Sequence, residues 1–121
     1  MAARRSVEQR LHEYEEAYRE LASQLAATGH LWPGSISVQR LTCGKPACRC
    51  HQDPRHRHGP YTYWSTKAKG KTVNRLLKPD EATLYQEWIE NRRRLEKLQR
   101  QMVRLSQKLA PLLLRRMRAH R

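Results

Sequence analysis

Three cysteines, Cys43, Cys48 and Cys50, lie within eight residues near the middle of the chain. An odd number of closely spaced cysteines favours metal ligands over disulfides, and a Cys-x-Cys disulfide would close a strained small ring. Zinc binds thiolate sulfur and imidazole nitrogen in a tetrahedron, and four protein ligands make such a site structural. The spacing therefore predicts one structural zinc ion held by the three cysteines and a nearby histidine.

Three histidines compete for the fourth position. His51 adjoins the last cysteine, so it would have to double back on a neighbouring ligand. His58 precedes Gly59 and Pro60, which lead rigidly into the next predicted strand. We therefore expect His58 to be the fourth ligand, with His56 as the alternative.

Acidic residues are scarce around this motif. Asp53 is the one carboxylate between residues 30 and 79, whereas a magnesium-dependent phosphodiesterase needs several acidic ligands. We therefore expect that the protein is not an enzyme.

The residues flanking the cysteines have the composition of short strands. Alternating or β-branched and aromatic residues predict strands over Ser35–Thr42, Tyr61–Thr66 and Thr72–Leu77, with a hairpin turn at residues 68–71. Three strands with so few apolar residues are not stable alone, so the metal is expected to stabilise them.

Apolar residues with helical spacing occupy both ends of the chain. The N-terminal seam consists of Val7, Leu11, Tyr14, Tyr18, Leu21 and Leu25. Ser6 and Gln9 form a predicted capping box, and Gly29 is expected to end the helix in the left-handed conformation. The C-terminal seam consists of Leu84, Trp88, Asn91, Leu95, Leu98, Met102, Leu105, Leu109 and Leu112.

Two residues of the C-terminal helix, Asn91 and Pro111, depart from the apolar helical pattern. Asn91 is its one polar member and is expected to fix register or oligomeric state. Pro111 is expected to kink or end the helix and to leave a basic tail. The second seam is longer than the first, and its apolar overhang predicts a homodimer through the helices.

These elements predict an α+β fold: a small, zinc-stabilised, antiparallel three-stranded β module inserted between two long helices that form an antiparallel coiled-coil hairpin. The predicted domains are an N-terminal coiled-coil helix (1–30), the zinc-binding β module (31–78) and a C-terminal long helix with a basic tail (79–121).

The motif resembles a family of small bacterial proteins known as a domain of unknown function. The residues that carry the resemblance are Gly34, Ser35, Cys43, Gly44, Lys45, Cys48, Cys50, His58, Gly59, Pro60, Tyr61, Gly70, Lys71 and Thr72. It covers roughly residues 34–100 and supplies no activity. It implies a bacterial protein associated with mobile genetic elements, encoded near transposase or recombinase genes.

Positive charge is concentrated in the middle of the chain. Of a total formal charge of +14, residues 30–78 account for +9, with ten Arg and Lys against one acidic residue. Such a patch predicts an anionic partner, and a cationic hairpin can contact a phosphate backbone. The candidate nucleic-acid-binding residues are Arg40, Lys45, Arg49, Arg57, Tyr61, Tyr63, Lys67, Lys69, Lys71 and Arg75.

The aromatic residues of the second predicted strand divide between its two sides. Alternation places Tyr61 and Tyr63 on one face and Trp64 on the other. Trp64 is expected in the core because the module has few other large apolar residues. Tyr61 and Tyr63 are interpreted equally well as core residues or as a surface on which unpaired bases stack.

The leading functional hypothesis is therefore a zinc-stabilised nucleic-acid-binding protein, a non-catalytic accessory in DNA transactions, with DNA favoured over RNA. The alternative is a protein-interaction adaptor whose coiled coil docks a larger DNA-processing enzyme. The longest apolar run, Leu109–Leu114, is too short to span a bilayer, so no membrane partner is expected. The expected location is the bacterial cytoplasm, including association with the nucleoid.

Overall fold

The structure is a computed structural model and describes residues 4–121; residues 1–3 of the predicted N-terminal domain lie outside the described part. In it we find two α-helices, three strands and two short 3-10 turns. In chain order these are α1 (Val7–Ala26), β1 (Ser35–Leu41), the turns Arg49–His51 and Pro54–His56, β2 (His58–Ala68), β3 (Lys71–Leu77) and α2 (Pro79–Ala119). The predicted α+β class, with an antiparallel three-stranded sheet between two helices, is confirmed.

The chain divides into two compact units. The helical unit contains the residues up to Gly29 together with Arg93–Arg121, and the sheet unit is His30–Arg92. The predicted boundary between residues 78 and 79 coincides with the start of α2, whereas the sheet unit continues to Arg92.

The helical unit is organised by its apolar seam. At the start of α1 the Ser6 hydroxyl accepts a hydrogen bond from the Gln9 N–H at 3.1 Å, and the Gln9 side chain accepts from the Ser6 N–H at 2.8 Å. Leu11 is buried. The carboxylate of Glu8 lies 3.8 Å from the guanidinium of Arg116, near the other end of the chain. Because early residues of α1 meet late residues of α2, the two helices run antiparallel.

The prediction for the end of α1 is wrong. Gly29 is not among the described residues with positive φ, because α1 has already ended at Ala26 with Ala27 in a right-handed conformation. The hydroxyl of Thr28 donates to the carbonyl of Gln24 at 3.1 Å, so a terminal carbonyl is capped without a left-handed residue.

Pro111 does not end α2, which continues to Ala119 and includes the predicted basic tail. A proline inside a helix removes one backbone hydrogen bond and introduces a steric clash with the preceding turn. The adjacent Leu112 is 3% exposed. We attribute the continuation of the helix to burial of the Leu112 side chain, which offsets the lost bond.

In the sheet unit the strands are ordered β1-β2-β3, so β2 is central. The β2–β3 hairpin closes through a two-residue turn, Lys69 and Gly70, between the paired residues Ala68 and Lys71. Both turn residues have positive φ, 52° and 75°, which is the type I′ conformation that matches strand twist. Glycine at the second position adopts this conformation without a steric penalty.

Four aromatic side chains form the principal packing cluster of the sheet unit. The ring of Trp32 lies 5.7 Å from Trp64, 5.0 Å from Tyr85 and 5.7 Å from Trp88. The expectation that Trp64 packs in the core therefore agrees with its contacts, and its indole N–H donates to the carbonyl of Pro33 at 2.8 Å.

The first turns of α2 use a different face from the predicted seam. Tyr85, Trp88 and Ile89 occupy positions i, i+3 and i+4, and Ile89 is 1% exposed. Leu84, which was assigned to the seam, is 42% exposed. That assignment is wrong because this part of α2 packs in the sheet unit. The side of α2 that is buried there is not the side on which the heptad pattern continues.

Polar side chains of α2 hold the segment that leads into β1. The Asn91 amide donates to the carbonyl of His30 at 2.9 Å. The Arg92 guanidinium donates to the carbonyls of Trp32 and Gly34 at 2.9 and 3.0 Å. The amide of Asn91, expected to specify register or oligomeric state, thus has a partner within its own chain.

Candidate metal centre

The ligand residues stand on short, locally defined elements between β1 and β2. Cys43 follows the end of β1, and a turn closed by the Cys48 N–H and the Lys45 carbonyl at 3.1 Å reverses the chain. Cys48 then lies immediately before the 3-10 turn that carries Cys50. His58 is the first residue of β2 and pairs with Leu41, so β-pairing returns it to the cysteine loop.

The side chains of Cys43, Cys48, Cys50 and His58 offer ligand atoms that all lie within 4.8 Å of one another. The sulfurs of Cys43 and Cys50 are 3.7 Å apart, and the Cys48 sulfur lies 3.4 Å from Nε2 of His58. A tetrahedral zinc ion with ligands at about 2.3 Å (sulfur) and 2.0 Å (nitrogen) requires about 3.8 Å between sulfurs and about 3.5 Å between sulfur and nitrogen. These two distances therefore match those of a metal-binding tetrahedron, and the whole group is close enough together to hold one ion.

The two other histidines of the loop have different partners. Nε2 of His56 lies 3.8 Å from the carboxylate of Asp53, which also receives hydrogen bonds from Arg55. The Arg55 side chain and then its backbone N–H hold the pKa of Asp53 below its usual range. His51 Nε2 lies 2.7 Å from the Cys43 carbonyl. His51 therefore bridges two parts of the loop next to a candidate ligand, a role that supports ligand orientation.

The thiols have unequal electrostatic surroundings. The Cys50 backbone N–H, followed by the side chain of His58, lowers the pKa of Cys48 to about 6. Burial raises the pKa of Cys50, against the opposing effect of the Cys43 N–H, and the adjacent sulfurs of Cys48 and Cys43 raise it further. The surroundings therefore favour the thiolate of Cys48 and disfavour that of Cys50. A bound cation would stabilise the thiolate form, which metal ligation requires.

The candidate nucleic-acid-binding residues are not gathered at one place. Lys45, Arg49 and Arg57 lie on the metal loop, and all three are exposed. Lys67, Lys69 and Lys71 surround the tip of the β2–β3 hairpin, Tyr61 and Tyr63 lie on β2, and Arg40 lies at an irregularity in the β1–β2 pairing.

Arg75 is separated from the two tyrosines. It pairs across the sheet with Trp64, so it shares the opposite face from Tyr61 and Tyr63. Its guanidinium donates to the hydroxyl of Tyr85 at 3.1 Å and to the carboxylate of Glu81 at 3.4 Å. These contacts give Arg75 a role within the sheet unit.

Two residues next to the tyrosines were absent from the sequence-based site. Leu76 is 55% exposed and pairs with Tyr63 on the same face. Lys78 lines a cleft with Tyr61 and Leu76. The alternation of residues along β3 indicates on which face Leu76 lies. Which residues of β2 lie beside it depends on the β2–β3 register, and the sequence alone does not determine that register.

The fold and the cysteine–histidine cluster define a small α+β protein with a candidate metal centre. A family model described as a domain of unknown function, DUF6788, matches residues 11–87. The chain belongs to this family, which confirms the resemblance inferred from the motif. No curated protein and no solved structure matches the chain. Among residues 4–121, no helix has the length and apolar character needed to cross a membrane.

Proposed function

We propose that the chain is a zinc-stabilised nucleic-acid-binding protein that acts as a non-catalytic accessory in DNA transactions. Zinc is favoured as the metal because three thiolates and one imidazole form a ligand set typical of structural zinc. Four protein ligands complete the tetrahedron and leave no coordination position for a substrate, so the ion would fix the loop between β1 and β2.

The observation that carries nucleic-acid binding is the uncompensated charge of the sheet unit. Across residues 30–78 of the described chain, seven basic side chains have neither an ion pair nor a side-chain hydrogen bond. They are Lys45, Arg49, Arg57, Lys67, Lys69, Lys71 and Lys78. Cations without acidic partners are available to phosphates, and the counterions that they displace from nucleic acid favour binding.

The test is the salt dependence of binding to a labelled 20-base-pair DNA duplex, measured by fluorescence anisotropy. If about five phosphates are contacted, the logarithm of the affinity should fall against the logarithm of the salt concentration with a slope of about −4 to −5. Replacing Lys67, Lys69 and Lys71 together by alanine should make this slope shallower by about 2 to 3.

A matched control removes the same charge from the exposed side of α2 by replacing Arg93, Arg94 and Lys97 with alanine. This variant should keep a slope closer to that of the wild type. An affinity that does not respond to salt would exclude the proposal, and equal slopes for the two triple variants would exclude the hairpin as its site.

A second candidate function, a protein-interaction adaptor, is favoured by exposed apolar residues on α2. Val103, Leu114 and Met117 are 56%, 47% and 59% exposed. Their spacings of eleven and three residues place them on one side of the helix. None of the three belongs to the predicted seam, so a homodimer would use this exposed surface beside it. Sedimentation equilibrium of the wild type and of Val103→Glu tests this: a monomeric wild type, or a dimer that the substitution leaves intact, would exclude this surface as a dimer interface.

A further inference from the structure

The two faces of the sheet differ in what covers them. Trp64 faces α2, where its ring lies 5.7 Å from that of Tyr85. Tyr63 lies on the opposite face and pairs across the strands with Ser37 and Leu76. We call this second surface the tyrosine face; its members include Ser37, Gln39, Tyr61, Tyr63, Lys67 and Leu76. Gln39 and Ser37 are hydrogen-bonded to each other on it at 3.1 Å.

The two tyrosines of this face have no internal partner. Within residues 4–121, neither Tyr61 nor Tyr63 stacks on another ring or forms a side-chain hydrogen bond, whereas Tyr85 does both. Tyr61 is 37% exposed and Tyr63 is half-buried. Tyrosines that stabilise the fold normally use their rings and hydroxyls in packing and hydrogen bonding. These two rings therefore remain available to a ligand.

The charge around the tyrosine face suits a polyanion. None of the three strands contains Asp or Glu. Lys67 lies on the same face as the tyrosines, and Lys69 follows at the hairpin tip. At the other end lies Glu81, whose oxygens already accept from the Lys78 N–H and from Arg75. A phosphate backbone along β2 would thus meet cations at the hairpin end and no free carboxylate on the strands.

The geometry points to unpaired bases as the other part of the ligand. Tyr61 and Tyr63 are two residues apart on one strand, a separation of about 7 Å. In a duplex the flat faces of the bases are stacked on each other, whereas in a single strand they are free to stack on aromatic side chains. The tyrosine rings can therefore stack on the bases of a single strand, whereas the stacked bases of a duplex are not open to them.

A cleft continues the tyrosine face at the end where β2 begins. It has a volume of about 390 Å³, and its lining includes Pro60, Tyr61, Leu76, Lys78 and Glu81. The carboxylate of Glu81 is paired with the guanidinium of Arg75. The apolar side chains form a surface against which a flat base can lie, and Lys78 brings a positive charge to the same place. The cleft thus provides space for a base beyond the one on Tyr61.

We infer that the tyrosine face binds single-stranded DNA, with bases stacked on Tyr61 and Tyr63 and phosphates contacting Lys67 and Lys69. This inference rests on the proposed nucleic-acid-binding function and adds the strand state of the ligand. The phosphate contacts are shared with duplex binding at the hairpin, while the stacking contacts are specific to unpaired bases.

The experiment compares the full-length protein on three labelled probes: a 20-nucleotide single-stranded DNA, the corresponding duplex and a single-stranded RNA of the same sequence. The variant Tyr61→Ala/Tyr63→Ala should bind single-stranded DNA at least about tenfold more weakly than the wild type. Its affinity for the duplex should change less than threefold. The control Tyr61→Phe/Tyr63→Phe keeps both rings and should retain single-strand binding. Metal content and circular dichroism establish that each variant is folded.

The outcomes separate this inference from the function on which it rests. Unchanged single-strand affinity in the folded alanine variant, or an equal loss on the duplex, would overturn the tyrosine face as a single-strand site while leaving nucleic-acid binding intact. Tighter, tyrosine-dependent binding of RNA would overturn the assignment to DNA. If the wild type binds none of the three probes, the proposed function itself fails.

Discussion

The helical unit and the sheet unit solve the problem of stability in opposite ways. The helical unit buries leucines that recur along a regular seam, including Leu11, Leu98 and Leu112. The sheet unit also buries Leu77 and Ile89, but its other contacts are an aromatic cluster, the hydrogen bonds of Asn91 and Arg92, and the cysteine–histidine group. The stability of the helical unit is therefore spread over many leucines of the same kind. The stability of the sheet unit depends on a few contacts that differ in kind.

The largest effect should follow loss of a metal ligand from the sheet unit. His58→Ala removes one of four ligand atoms, and metal binding in a small module is coupled to its folding. Under the proposed function the wild type holds about one zinc ion per chain, and we expect the zinc content of the variant to fall to a small fraction of that, with loss of the β signal and retention of the helical signal. Metal analysis by mass spectrometry and circular dichroism measure the two effects.

The matched control for this variant is His56→Ala. It removes a second imidazole from the same loop, but one that lies beside Asp53 instead of the sulfurs. The control should keep its zinc. Equal zinc retention in both variants, or loss in both, would show that the ligand set is wrong and would remove the contrast between the two units.

This first contrast also shows what the sequence could predict. The three cysteines are close in sequence, so their proximity in space followed from chain connectivity. The assignment of a histidine required β-pairing between Leu41 and His58, which the sequence made plausible without determining. The helical seam was predictable because a periodic pattern needs no knowledge of distant residues.

The sequence was least informative where distant segments meet. The anchoring of the segment before β1 by Arg92 joins residues about sixty positions apart. The change of buried face at Ile89 depends on packing within the sheet unit, and a continuous heptad pattern conceals it. Of the two outcomes expected at Pro111, a kink or an end of the helix, the end does not occur, because a local steric rule takes no account of burial such as that of Leu112.

In the helical unit a buried leucine should have a large but graded effect. Leu112→Ala removes a side chain that is 3% exposed and should lower the free energy of unfolding by about 2 to 5 kcal/mol. Leu114→Ala, at a position that is 47% exposed, should cost well under half as much. Chemical denaturation measures both. Loss of zinc from Leu112→Ala in its folded state would contradict the separation of the two units.

Adding one methyl group at Gly34 should lower the stability of the sheet unit. Gly34 has a φ of +85°, and an added Cβ would clash with the Ser65 carbonyl oxygen and lie 2.6 Å from the indole nitrogen of Trp64. We expect Gly34→Ala to destabilise the protein by at least about 2 kcal/mol, through backbone strain and displacement of the indole.

Gly44→Ala is the control for this substitution, because an added Cβ there meets nothing within 4 Å. It should change the free energy of unfolding by less than about 0.5 kcal/mol. Thermal unfolding of the two variants side by side makes the comparison. Equal free energies of unfolding for Gly34→Ala and Gly44→Ala would show that β2 does not approach Gly34 as closely as described.

The smallest effect should come from the capping box of α1. Ser6→Ala removes the hydroxyl that accepts from the Gln9 N–H and should cost about 1 kcal/mol. Ser6→Asp keeps an acceptor at the same position and should retain most of the stability, because aspartate caps helices as well as serine does. A loss from Ser6→Asp as large as that from Ser6→Ala would mean that the hydrogen bond is not the cause. Zinc content should remain unchanged in both variants, because the helical unit contributes no ligand, and this separates a graded loss in one unit from the abrupt loss expected at His58.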